Sequence, residues 1–145
     1  MSIVFSRQCE YALQAVTYLS RKPEGSKTSI RELSRRLKIP YHFLAKILQR
    51  LTKVGLLVSG KGPAGGFALS MPSKVITPFH IVDAIDGAEF VTGCVLGFPQ
   101  CSESHPCAVH KEWGGIRDAM YQMLVSQNVA QIGAAMKKPE YEAAG

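Results

Sequence analysis

Three cysteines and a histidine fall within seventeen residues as Cys94-x6-Cys101-x5-Cys107-x2-His110, where this 145-residue chain concentrates groups able to bind a metal or to undergo redox chemistry. Three thiolates and an imidazole make a full four-donor set for zinc or for an iron–sulfur cluster. Three thiols do not make a closed disulfide framework. Gly93, Gly97, Pro99 and Pro106, with Ser102 and Ser104 between, disfavour helix and strand alike and predict a loop that can wrap around a bound group. The plainer alternative is a surface loop with free thiols, but exposed thiols in a row are a chemical liability unless they are used.

The elements on either side of this loop are readable. Before it, Thr77-Pro78 starts a helix with Phe79, Val82 and Ile85 inward, and Gly87 fits the position just past its end. After it, helical spacing resumes at Trp113, Ile116, Met120, Met123 and Leu124, predicting a helix from about Ala108 to Ser126. At about 1.5 Å per residue that helix is roughly 28 Å long. So long a helix has little to pack on in a small protein, which predicts a homodimer interface. Asn128 is expected to cap a last short helix through about Met136, with a loose tail from Lys137 to Gly145.

The first half of the chain has a different character. Cys9, Ala12, Leu13, Val16 and Leu19 form one stripe of a helix over residues 6–20, which Lys22-Pro23-Glu24-Gly25 ends. Glu10 lies near its start, where the helix dipole favours a carboxylate. Ser29-Ile30-Arg31-Glu32 reads as a capping box heading a short helix with Ile30, Leu33 and Leu37 on one side, and Lys38-Ile39-Pro40 breaks it. From about Tyr41 to Val54 the inward stripe is Leu44, Ile47, Leu48, Leu51 and Val54. That leaves Tyr41, His42, Ala45, Lys46, Gln49, Arg50 and Lys53 outward.

Two short helices joined by a tight turn, the second presenting basic and hydrogen-bonding side chains, is the helix-turn-helix layout. Tyr41, His42 and Lys46 are the candidate readers of base edges; Gln49, Arg50 and Lys53 suit phosphates, and Ser29 joins the DNA-contact set. Leu56–Ser59 and Gly66–Ser70 then read as two short strands around the turn Gly60-Lys61-Gly62-Pro63-Ala64-Gly65. A hairpin in this place is a wing, whose Lys61 can enter a minor groove. No Gly-Lys-Ser/Thr or Gly-x-Gly-x-x-Gly pattern makes the glycine cluster a nucleotide loop.

Charge divides the chain along the same line. Residues 1–74 hold 13 Lys and Arg against 3 Asp and Glu, whereas residues 75–145 hold 4 against 8, so the net +6 is wholly amino-terminal. The basic half is expected to face a polyanion, double-stranded DNA. We therefore expect a mostly α fold with a small β-hairpin wing: residues 1–74 a winged helix-turn-helix region, and residues 75–145 the metal- or cluster-binding loop and dimerisation helix. MSIVFSRQ leads into an amphipathic pattern without a long apolar run, so neither a signal peptide nor a membrane span is read and a cytoplasmic protein is expected. A reducing cytoplasm again favours metal or redox duty for clustered cysteines. No catalytic dyad spacing, Cys-x-x-Cys motif or carboxylate cluster in the basic half points to an enzyme. The alternatives for the cysteine loop are a structural zinc on the same fold and, from another class, a thiol redox or metal-carrier protein.

Tyr11-Ala12-Leu13, Leu44-x-x-Ile47-Leu48-x-x-Leu51-x-x-x-Gly55-Leu56, Gly62-Pro63-Ala64-Gly65-Gly66-Phe67, Ile81-Val82-x-Ala84-Ile85-x-Gly87 and the cysteine triplet together resemble the IscR/NsrR family of dimeric winged-helix transcriptional regulators, over nearly the whole chain. The resemblance implies that Cys94, Cys101 and Cys107 ligate a 2Fe-2S or 4Fe-4S cluster whose presence or damage sets operator affinity, as in a repressor sensing redox, nitric oxide or iron–sulfur status. It also implies that the long helix forms the dimer. Two fourth ligands are open: His110, at the Cys-x2-His position of the cluster-homeostasis type, and Glu10, at the helix-one position from which other members offer a carboxylate from the partner subunit. His110 is preferred, because an imidazole suits iron and follows Cys107 by about one helical turn.

Overall fold

The computed structural model describes residues 4–142. Helix α1 (Arg7–Ser20) starts where the Ser6 hydroxyl accepts from the Cys9 N–H, and buries Cys9, Ala12, Ala15, Val16, Tyr18 and Leu19. With that face covered, α1 is the post on which the other elements lean. Helices α2 (Ile30–Leu37) and α3 (Tyr41–Lys53) pack on it and on each other, and Lys38 turns the chain between them in a left-handed conformation, φ 57°. On α3, Leu44, Leu48 and Leu51 are fully buried, each removal from water contributing about 1.5–3 kcal/mol. Val54, expected on the same stripe, is 52 % exposed: α3 stops at Lys53, and Gly55, at φ 88°, swings the chain away before the stripe closes.

The capping box forms by half. Ser29 Oγ accepts from the Glu32 N–H at 3.1 Å, but the Glu32 carboxylate does not return; it takes the Tyr18 hydroxyl and the Lys22 ammonium, both at 2.7 Å, and so fastens α2 to α1. Burial opposes charge on Glu32, yet those two donors outweigh it and hold the carboxyl below its usual range.

The expected hairpin is present. Strands β1 (Leu57–Gly60) and β2 (Gly66–Leu69) run antiparallel with Leu57 opposite Leu69 and Gly60 opposite Gly66. Thr28 adds a pairing that periodicity did not signal, exchanging two 2.8 Å backbone bonds with Phe67. Gly66, at φ 140°, lies so close to the Thr28 carbonyl that a Cβ would strike it, so this glycine fixes the hairpin against the strand-like segment before α2.

A single turn over Ser73–Val75 leads to α4 (Pro78–Ile85), which Thr77 and His80 cap reciprocally and Gly87 follows at φ 82°. Another turn, Glu89–Val91, opens the cysteine loop. Helices α5 (His110–Ser126) and α6 (Val129–Ala135) follow, α6 capped by Asn128 with Gln131 reaching back. Helix α5 begins at His110, later than the expected Ala108, and of its apolar stripe only Leu124 is buried. Ile116 and Met123 stand 56 % and 61 % exposed, because within this chain α5 packs chiefly on α4 and the Glu89–Val91 turn.

The tail is not loose as expected. Residues Pro139–Glu142 form a short helix, α7, whose Tyr141 is 5 % exposed, with its hydroxyl donating to the Gln14 carbonyl at 3.0 Å and its ring 6.0 Å from that of Tyr18. Arg36 of α2 donates to the Pro139 carbonyl at 3.1 Å. A lone aromatic and two backbone carbonyls hold this segment, and neither shows as helical periodicity. Residues 143–145 lie outside the described part.

Candidate functional site

The loop between α4 and α5 gathers the three thiols. Gly97, at φ 85°, closes a turn by donating its N–H to the Cys94 carbonyl at 3.0 Å. Ser102 and His105 exchange backbone bonds around a second turn. These turns fold the chain back so that the sulfurs of Cys94, Cys101 and Cys107 all lie within 4.8 Å of one another, with Cys94 and Cys107 at 3.6 Å. His110, the first residue of α5, places Nδ1 3.0 Å from the Cys101 sulfur, which also accepts from the Cys107 N–H at 3.4 Å. All four side chains are half-buried.

Three soft sulfurs and an imidazole nitrogen fit the donor set of zinc or of an iron–sulfur group. Two thiolates sharing one tetrahedral zinc, with Zn–S of about 2.3 Å, stand about 3.8 Å apart, close to the Cys94–Cys107 separation. The sulfurs are unequal. The Phe98 N–H, and then that of Leu96, pull the Cys94 thiol down to about 7 against the opposing effect of burial. At Cys107 the Val109 N–H acts downward, but desolvation and the neighbouring sulfurs of Cys101 and Cys94 leave it raised.

Three other donor-bearing residues, Glu10, Cys9 and His105, lie apart. Glu10 Oε1 is 3.5 Å from Arg7 Nε on the same helix turn, and among the described residues the three thiols alone form the close donor group. Cys9 is fully buried, and burial, then the charges of Asp86 and Glu10, push its thiol up to about 12. His105 Nδ1 faces the Ser104 hydroxyl at 3.2 Å, outside the cluster.

The amino-terminal side of the loop is tied to the rest of the protein. Trp113 Nε1 donates to the Gly93 carbonyl at 2.8 Å, one residue before Cys94, and Arg117 reaches the same oxygen at 3.4 Å. At the end of α4, Arg50 of α3 donates to the Ile85 carbonyl at 2.9 Å, and the Ser6 N–H at the head of α1 donates to Asp86 at 2.8 Å. Phe90 bridges between, edge-on to Phe5 and Phe79, and Phe79 meets Tyr121 of α5. Arg50, read from sequence as a phosphate ligand, thus carries an internal bond to a helix end. Arg117 and the Trp113 indole were not singled out as site residues; a lone indole N–H beside a glycine-rich segment is the signal that was there to be read.

The outward face of α3 is as expected apart from Ala45, which is half-buried. Tyr41, His42, Lys46, Gln49 and Lys53 are exposed, as are Ser29 at the head of α2 and Lys61 at the wing tip, where Gly62 turns at φ 88°. Phe43, 57 % exposed on the first turn of α3, was missed. Among the described residues no helix is long and apolar enough to cross a membrane.

A helix-turn-helix with a wing, exposing a basic recognition helix and joined through α4 to a thiol loop, defines a winged-helix DNA-binding transcriptional regulator. The profile of the Rrf2 family, described as iron-dependent transcriptional regulators, matches residues 5–135, and the chain belongs to that family. It is a family of regulators, not of enzymes. The chain is 36 % identical over 132 residues to an Aquifex aeolicus protein assigned to the HTH-type transcriptional regulators, covering 90 % of this chain and 91 % of that one. It is 27 % identical over 122 residues to the regulator IscR of Escherichia coli, covering 84 % and 75 %, which bears out the resemblance read from the motifs. In fold it is similar to CymR, the global cysteine regulator of B. subtilis, with a TM-score of 0.77 at 22 % identity over 94 % of this chain and all of that one.

Proposed function

We propose that this regulator works as a cytoplasmic homodimer that represses its targets, its affinity for operator DNA controlled by an iron–sulfur cluster held by Cys94, Cys101, Cys107 and His110. The observation that carries this reading is the gathering of three sulfurs and one imidazole in a loop whose amino-terminal side is hydrogen-bonded to α3 and α5. The iron dependence for which the family is described supports iron. When bound, the cluster supplies a redox- and nitric-oxide-sensitive group whose loss removes the loop's main cross-link.

The chain's own residues do the rest. Trp113 and Arg117 hold Gly93, so the position of Cys94 is referred to α5; Arg50 holds Ile85, so the end of α4 is referred to the recognition helix. Reordering of the loop changes the angle between α5 and the head, and hence the spacing of two heads across a dimer. Moving such a switch from 1:99 to 99:1 takes about 5.5 kcal/mol of preference for one state, which several metal–ligand bonds supply. At the DNA, Tyr41, His42 and Lys46 read bases, Gln49 and Lys53 hold phosphates with Ser29 at the neighbouring helix head, and Lys61 enters a minor groove. Arg50 reaches a phosphate only with the donors its Ile85 bond leaves free.

Protein purified without air should be coloured, and serine at Cys94, Cys101 or Cys107 should each abolish the visible absorption; retained colour in all three variants refutes the ligand set. His110→Ala should weaken loading more than Glu10→Ala, and the reverse result assigns the fourth ligand to Glu10, supplied by a second copy. A second reading, a structural zinc, is favoured by the 3.6 Å sulfur separation, and predicts colourless protein with one zinc per chain.

A further inference from the structure

The site's thiols have a second chemistry that does not depend on which metal group they hold. We infer that in the metal-free protein Cys94 and Cys107 are the pair that closes to an intramolecular disulfide, with Cys101 left reduced, so that the emptied site is stored in a recoverable form.

Three features select this pair. Cys94 and Cys107 sulfurs already lie 3.6 Å apart, and a disulfide needs an approach of only about 1.5 Å more. They belong to a loop of turns without helix or strand, so the approach moves no packed element. The Cys101 sulfur is occupied elsewhere, against His110 Nδ1 at 3.0 Å and the Cys107 N–H at 3.4 Å, and pairing it would break both contacts. Cys9, the remaining thiol, is fully buried in α1 and takes no part.

The oxidant is a two-electron peroxide. Written from Cys94, its sulfur attacks one oxygen of hydrogen peroxide; the O–O bond breaks, one water leaves, and a sulfenic acid forms. The Cys107 sulfur attacks that sulfur, the S–O bond breaks, and the second water leaves with the Cys107 proton. Two thiols and one peroxide thus give one disulfide and two waters. A thiol this close intercepts the sulfenic acid before further peroxide carries it to the irreversible sulfinic acid. The disulfide also removes two of the site's sulfur donors, so metal cannot reload until a dithiol reduces it.

The test uses the full chain stripped with a chelator, treated with one equivalent of hydrogen peroxide and read by intact mass and by thiol count after denaturation. The wild type should lose two of its four thiols and about 2 Da, both restored by dithiothreitol. Cys101→Ser should behave alike, whereas Cys94→Ser and Cys107→Ser should not lose that mass. Circular dichroism checks that each variant stays folded, and a variant that does not is replaced by Cys→Ala at the same position. Loss of the disulfide in the Cys101 variant, a disulfide between chains on a non-reducing gel, or sulfinic acid without any disulfide each overturns the assignment. Because no cluster is present, failure of the iron–sulfur reading would leave this result untouched.

Discussion

Cys94 and Cys9 are thiols of one chain placed at opposite extremes. The Phe98 and Leu96 N–H groups stabilise the Cys94 thiolate against burial and bring its pKa to about 7, whereas burial carries Cys9 to about 12. Only the thiolate attacks an alkylating agent, and a lowered pKa means that it is already well populated at neutral pH. In metal-free protein, iodoacetamide at pH 7.5 should therefore modify Cys94 before Cys101 and Cys107. The rate should fall about tenfold per pH unit once pH drops well below 7, and Cys9 should stay unmodified until the protein is denatured. Timed quenching and mass spectrometry check the order; early labelling of Cys9 would show that α1 opens. The sequence told which residues were donors but not their ranking. That ranking comes from which backbone N–H groups the Gly97 turn aims at a sulfur, a matter of φ and ψ rather than composition.

Helix α5 is the element whose own chain covers it least. Its apolar stripe is read from the sequence as the face of a homodimer, and Ile116 and Met123 on that stripe stand exposed within this chain. Side-chain spacing reports that a face is apolar, not what covers it. The homodimer reading supplies a second α5 for that face. Ile116→Glu together with Met123→Glu should then convert the dimer to monomers in sedimentation, with helical content unchanged, and weaken operator binding by at least tenfold; a dimer that persists would place the interface elsewhere. The recognition helix was more legible, because its stripe Leu44, Ile47, Leu48 and Leu51 and its polar face both follow one period. The Glu32 side chain was misread for a different reason: Tyr18 and Lys22, distant in sequence, offered it better donors than the Ser29 N–H.

Across the described residues, the carboxy-terminal helix α7 packs back on α1, which the charge division between halves did not suggest. Tyr141 closes the back of the helix-turn-helix between α1 and α2, beyond the residues the family profile matches. Tyr141→Ala should cost about 2–4 kcal/mol of unfolding free energy, measured in urea, while Tyr141→Phe, which loses only the hydroxyl bond to Gln14, should cost about 1 kcal/mol. Equal stability of all three proteins would show that the tail does not hold the core. The indole that clamps Gly93 has one more use. Trp113 is the sole tryptophan of the chain, and it is hydrogen-bonded to the residue just before the first cysteine of the cluster. Its fluorescence is therefore a built-in optical reporter: an iron group on the thiols should quench it, zinc should leave it bright, and the emission of unlabelled protein should follow the filling and emptying of the loop in real time.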